Sequence, residues 1–134
     1  MRSEMIAVRT GGRPTVHDLT GACTRFVSSE SDGLLSVFVP HATAGVAILE
    51  TGAGSDADLL DAIDTLLPRE DRWRHSHGSA GHGRDHVLPA FLAPSITVPV
   101  LGGRLQLGTW QSVCLVDTNV DNAERQVRLS FLPG

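Results

Sequence analysis

Ser95-Ile96-Thr97-Val98-Pro99-Val100-Leu101-Gly102-Gly103-Arg104-Leu105 alternates the apolar Ile96, Val98 and Val100 with Thr97 and Pro99 and then meets a glycine pair. Period-two alternation marks a strand with one face in a core and the other in water, and two glycines between apolar runs suit a two-residue hairpin. The chain is therefore expected to return as a long strand, Leu105 to Val116. Gln126 to Leu132 repeats the pattern, with Val127, Leu129 and Phe131 on one face and Gln126, Arg128 and Ser130 on the other. Strands with one wet face belong to antiparallel sheets.

Upstream, Met5 to Thr10 reads as an opening strand and Gly11-Gly12-Arg13-Pro14 as turn chemistry. Asp18 or Thr20 can cap a short helix through Phe26 and Val27. Leu34 to Val39 is a buried strand that Pro40 stops, delivering His41 to its C-terminal end, and Val46 to Leu49 is another strand. Ser55, followed three residues later by Asp58, has the form of a capping box. Leu59, Leu60, Ile63, Leu66 and Leu67 then keep helical spacing as far as Pro68. Arg69 to Arg84 is charged, His-rich and Gly-rich, longer than most connections, and Val87 to Leu92 allows a helical turn or two. Six or seven strands with two or three helices predict one α+β domain over residues 1–134, built on an antiparallel sandwich.

Composition narrows the function classes. The chain has 134 residues, 41% hydrophobic and 19% charged, with a net charge of -4, which suits one globular domain able to build a core without disulfides or structural metal. A metal here therefore needs a functional explanation. All 11 basic residues are Arg, and they form no cluster, which excludes a dedicated nucleic-acid surface. No stretch approaches the ~18 apolar residues of a membrane span, so the expected location is the cytoplasm. Cys23 and Cys114 belong to no Cys-x-x-Cys pair and are expected as buried free thiols.

Four of the six histidines, His75, His77, His82 and His86, fall within twelve residues, and His41 follows a strand end elsewhere. Neutral imidazole is the commonest ligand for zinc and its neighbours, and catalytic sites use three protein ligands with one position open. His77 and His82 read equally well as solvated loop residues, and His17 as structural. No Glu follows His82 and Gly83 disfavours a helix, so His82-x-x-x-His86 is not a metalloprotease motif. Gly52-Ala53-Gly54 before Ser55 lacks the Lys and spacing of a phosphate loop. Glu50, ending an apolar run, is either partly buried, with a raised pKa suited to proton transfer, or part of a surface salt bridge.

His41-Ala42-Thr43-Ala44-Gly45 with Glu50, then Pro68, His75, His86, the run Pro94 to Val100, and Gly102-Gly103-Arg104-Leu105-Gln106-Leu107-Gly108-Thr109-Trp110-Gln111 resemble the YjbQ-like family, whose members are often labelled secondary thiamine-phosphate synthase. The resemblance runs from about Asp18 to the C-terminus. It implies a jelly-roll-like antiparallel sandwich assembled as a homotrimer, with a divalent metal, zinc by its ligand chemistry, held by His41, His75 and His86. It also implies that Glu50 and Arg125 serve catalysis and that Thr43, Asp58, Thr109 and Gln111 line the substrate cleft. His82 stands where many relatives have an acidic residue or Asn, as an added ligand or a drifted loop residue. Asp117 replaces a usual Glu, Ala93 a usual Gly, and Asp121-Asn122-Ala123-Glu124-Arg125 departs from the family's turn.

The resemblance implies an enzyme on small phosphorylated substrates, joining a thiazole phosphate to a pyrimidine diphosphate with loss of pyrophosphate. There a metal would neutralise the leaving group and Arg125 would offer a planar donor fork. The alternative is a trimeric protein that holds a metal and an anionic metabolite without turnover.

Overall fold

The computed structural model describes residues 1–70 and 72–134. In chain order the elements are β1 (Arg2–Arg9), β2 (Thr15–Asp18), α1 (Thr20–Val27), β3 (Gly33–Phe38), β4 (Ala44–Leu49), α2 (Ser55–Leu66), two 3-10 turns (His82–His86 and Leu88–Ala90), β5 (Ser95–Leu101), β6 (Arg104–Leu105), β7 (Ser112–Asp117) and β8 (Glu124–Pro133). Strands β1, β8, β3, β5 and β6 form one sheet in that order, β2, β7 and β4 a second, and every pairing is antiparallel. The α+β sandwich expected from the sequence is what forms.

Alternation decides the faces. Val98 and Val100 of β5, Leu35 and Val37 of β3, and Val127, Leu129 and Phe131 of β8 are buried, and they meet Ala44, Val46, Val113 and Leu115 from the second sheet. Helix α1 adds Cys23, Phe26 and Val27 to the same core. On the other side of the second sheet, Val116 packs with Ile63 of α2, Leu67 and Leu88. Strand β7 is therefore covered on both faces and buried continuously from Val113 to Asp117. Burial pushes the Cys23 and Cys114 thiols up to about 12, with the Asp18 charge adding to the effect, so both stay protonated.

Two expectations need correction. The long return strand from Leu105 to Val116 does not exist: β6 ends at Leu105, and β7 begins at Ser112 in the other sheet. Gly102 and Gly103 do make the hairpin, at φ 54° and 72°. After it, Gln111 Oε1 accepts from the Gly108 N–H (2.8 Å) and Gln111 N–H donates to Gly108 O (3.0 Å), closing a turn that carries the chain between sheets. Ser55 is no cap, because Gly54 precedes the helix at φ 99° and Asp58 N–H donates to Gly54 O. Asp56 and Asp58 still complement the positive end of α2. Strand β2 was missed, since four residues of mixed polarity carry no period.

At one end of the sandwich, Asp117 closes β7 and Arg125 opens the buried part of β8. Each is 1% exposed. Arg125 donates through Nε to Asp117 Oδ2 (2.7 Å) and through Nη2 to Asp117 Oδ1 (2.9 Å), a two-point ion pair joining the two sheets. The same Nη2 donates to Thr43 Oγ1 (2.8 Å), just before β4. No helix among the described residues is long and apolar enough to cross a membrane.

Removing one partner of a buried pair leaves a desolvated charge, at a cost of about 3–5 kcal/mol. Asp117→Ala should lower the unfolding free energy by that amount in urea titrations. An exposed control, Glu70→Ala, whose partner Arg72 is also exposed, should stay within about 1 kcal/mol of wild type.

Candidate functional site

After α2, the His-rich segment folds back on itself. Gly83 sits in the first 3-10 turn, between His82 and Arg84. A Cβ there would lie 2.5 Å from Trp73 Cβ and 2.6 Å from His75 O. Glycine thus lets the 73–75 strip lie directly on the turn that carries His82 and His86. The turn is anchored from beneath by Asp85, which is fully buried and accepts from Thr118 Oγ1 (2.5 Å) and Arg69 Nη2 (3.3 Å). Arg69 Nη2 also donates to Thr118 O (2.7 Å), and buried Arg84 pairs with Asp64 of α2 and donates to Leu67 O (3.2 Å). These contacts tie the histidine turn to the end of β7 and to α2.

The result is a packed imidazole cluster. Ring centroids of His75 and His86 are 3.8 Å apart, and those of His75 and His82 are 4.9 Å apart. A ring nitrogen from each of His75, His82 and His86 lies within 4.8 Å of the others. His77 lies tilted against His75, with ring centroids 4.1 Å apart, and like His86 is exposed. His75 Nε2 is buried and has no hydrogen-bond partner among the described residues. An unsatisfied buried acceptor is costly, about 1–3 kcal/mol, and a bound cation would satisfy it. Burial lowers the pKa of His75 below its ordinary 6.5, helped by the charges of His86, His77 and His82; burial likewise lowers His86, helped by His82 and His77 and opposed by Asp85. Neutral imidazoles with free lone pairs are the state a metal requires. The donor set fits a divalent cation.

A cavity of about 400 Å³ adjoins the cluster, lined by His77, His82 and His86 together with His41, Thr43, Asn119, Asp121, Asn122 and Arg125. His41 enters it because Pro40 takes the chain off the sheet after β3. Its Nε2 accepts the Gln126 N–H at 2.9 Å. Burial lowers the His41 pKa, and the Arg125 charge adds to this while Asp117 opposes it. Thr43 is buried under Arg125. Two of the three guanidinium nitrogens of Arg125 are committed to Asp117 and Thr43, which limits the free fork expected of it.

Four expected cleft residues are elsewhere. Glu50 follows Leu49, which pairs with Ser112, while Ala44 at the other end of β4 pairs with Asp117. Six strand residues at ~3.3 Å each put Glu50 roughly 20 Å from the Asp117 end. Glu50 is exposed, so the partial burial expected of it is absent. Thr109 and Gln111 precede Ser112 at that same far end, and Asp58 lies exposed in the first turn of α2. None of the four lines the histidine cavity; Glu50, Thr109 and Gln111 are kept from it because β4 and β7 carry their two ends apart. Asn119 and Asp121 were not anticipated. Asp121 Oδ2 accepts from the Ser79 N–H (3.3 Å) and hydroxyl (3.0 Å), and these bonds, with the charges of His82 and Arg69, hold its pKa below the ordinary carboxylate value. An Asx pattern in Asp117-x-Asn119-x-Asp121 was the available signal: Asn119 N–H donates to Asp117 Oδ1 and Asp121 N–H to Asn119 Oδ1.

Against known proteins, a family model described as UPF0047 protein YjbQ-like matches residues 4–134. UPF0047 protein Rv2556c of Mycobacterium tuberculosis is 62% identical over 134 residues, covering 100% of both chains. Among solved structures, hypothetical protein APE1520 of Aeropyrum pernix superposes with a TM-score of 0.90 at 34% identity, covering 100% of both chains. A YbjQ-like protein of unknown function from Sulfolobus solfataricus gives a TM-score of 0.91 at 26% identity, covering 99% of this chain and 97% of that one.

Gly83→Ala should push the 73–75 strip off the turn and weaken zinc binding at least about tenfold in chelator competition, as lost support of a ligand shell does. The histidines also set a pH response. Unfolded chain protonates these imidazoles near 6.5, whereas folded His41, His75 and His86 resist protonation until lower pH. Below 6.5 the unfolded state then binds more protons, so stability must rise with pH there. Melting temperatures of metal-free protein should fall as pH drops below 6.5 and level off above it.

Proposed function

Because this chain belongs to the YjbQ-like UPF0047 family, we propose that it is a metal-dependent enzyme acting on a small phosphorylated substrate in the cavity beside the histidine cluster. One observation carries the reading: three imidazole nitrogens within 4.8 Å of one another, one of them buried without a partner, beside a polar cavity of about 400 Å³. His75, His82 and His86 would hold the ion, and zinc suits an all-imidazole set. A divalent cation bound there supplies charge neutralisation for a phosphate or pyrophosphate leaving group.

The chain's own groups do the rest. Arg125 keeps a permanent positive charge at the cavity wall, and its pairing with Asp117 fixes the guanidinium plane rather than leaving it to search. Thr43 Oγ1 accepts from Arg125 and so has its own proton free to donate. Asp121 is held by Ser79, the residue whose carbonyl O lies 2.8 Å from His82 Nδ1, so it braces the cluster. The reaction we assign within this class is the coupling of a thiazole phosphate to a pyrimidine diphosphate: a C–N bond forms as the C–O bond to pyrophosphate breaks. We assign the working form as a homotrimer.

A second reading, a trimeric metal and anionic-metabolite carrier without turnover, is favoured by the position of Glu50. The acid expected to move a proton is exposed and outside the cavity.

Mass spectrometry of tag-free protein should find about one divalent metal per chain, lost in His75→Ala and His86→Ala. Incubation with both substrates should then yield the coupled product. No product above the His86→Ala control, with metal present, would leave only the carrier reading.

A further inference from the structure

Strand β3 pairs with β8 as far as Phe38 opposite Arg128. Two residues further along, that register would set Gln126 opposite Pro40, but Pro40 has already left the sheet. The Gln126 N–H is thereby deprived of a ladder carbonyl, and the ring of His41 takes its place: Nε2 accepts it at 2.9 Å. A backbone N–H can only donate, so Nε2 must carry a bare lone pair turned to Gln126. The ring is then neutral and its single proton sits on Nδ1. An imidazole in that state has no free lone pair for a cation. His41 is also absent from the set of rings whose nitrogens converge, which are His75, His82 and His86.

We propose that His41 is an anion-binding residue rather than a metal ligand in this protein, presenting Nδ1–H to a phosphate oxygen of the substrate while His82 completes the metal-holding set. The assignment rests on the metal-dependent reading above and gives the cavity walls two chemistries. One set of walls has lone pairs: His82 and His86 line the cavity and converge with His75. The other has donors: His41 Nδ1–H, the Thr43 hydroxyl and the positive charge of Arg125. A phosphorylated substrate lying across the cavity meets the cation at one side and fixed N–H and O–H groups at the other. The lowered pKa of His41 agrees with a ring that donates as neutral imidazole. A neutral donor of this kind polarises an oxygen without surrendering its proton.

The test separates metal from anion. Metal content by mass spectrometry and inorganic phosphate binding by calorimetry are measured on tag-free wild type, His41→Ala, His41→Asn, His82→Ala and His86→Ala. His41→Ala should keep the wild-type metal content and lose about tenfold or more in phosphate affinity, the size expected of a hydrogen bond to a charged group. His41→Asn, whose amide N–H can stand where Nδ1–H stood, should recover most of that loss and show that folding is intact. His82→Ala should lose metal as His86→Ala does. Metal loss in His41→Ala and His41→Asn alike would overturn the assignment, as would unchanged phosphate affinity in both or a wild type that binds no phosphate. A wild type that binds phosphate and no metal would overturn the metal-dependent function, and the His41 variants would still decide the donor role.

Discussion

Everything at the functional end of this molecule hangs from the buried ion pair between Asp117 and Arg125. It joins the last residue of the central strand of one sheet to the inward face of the other, and it is the polar plug at the end of an apolar core. Its geometry propagates outward in both directions. Through Thr43 it fixes the start of β4, and through the Asp117-Asn119-Asp121 series, in which each side-chain oxygen accepts the backbone N–H two residues on, it fixes the connection to β8. A charge pair in such a place is a poor source of stability compared with leucine and valine of equal volume. What it secures is position, because a guanidinium and a carboxylate meet in one planar arrangement and apolar side chains meet in many.

The histidine segment depends on a second buried network built on the same logic. Asp85 is fully buried between Thr118, Arg69 and Arg84, so the residue beside His86 reaches back to the strand end that Asp117 occupies. A sixteen-residue connection rich in glycine would otherwise fluctuate among many conformations. Its glycines do not loosen it: Gly83 permits a backbone approach that any side chain would block, and this approach is what packs His75 against His86. The cost of gathering four imidazoles is visible in the lowered pKa values of His75 and His86 and in the unpartnered His75 Nε2. Groups held in such a state are poised for a ligand that supplies positive charge.

Much of this was legible in the chain. Period-two alternation from Ile96 to Val100 and from Gln126 to Leu132 located β5 and β8 and assigned their core faces, because burial on one side of a pleat leaves a direct mark on residue order, although Ser130 on the opposite face is buried as well. The helical spacing of Leu59 to Leu67 located α2, and Pro40 marked the end of β3. The density of histidines pointed to the cluster. The chain break between β6 and β7 was not legible, since Leu105 to Val116 keeps enough apolar character to pass for one strand while being divided between two sheets. Gly83 was read as a helix breaker when its role is a close contact with residues eight and ten positions away.

The sequence by itself determined the antiparallel α+β class, strands β5 and β8, helix α2, the family and the supply of imidazoles, since each is written in local order or in short motifs that neighbouring residues satisfy. Only the tertiary structure decided which residues share a site. It drew His82 to His75 and His86, turned His41 to the backbone of β8, buried Arg125 against Asp117, and set Glu50, Thr109 and Gln111 at the far end of the second sheet. The physical reason is that a strand separates its two ends by its full length while a loop can return to its own start. Proximity in space is then set by strand pairing, buried charges and the one close contact that a glycine allows.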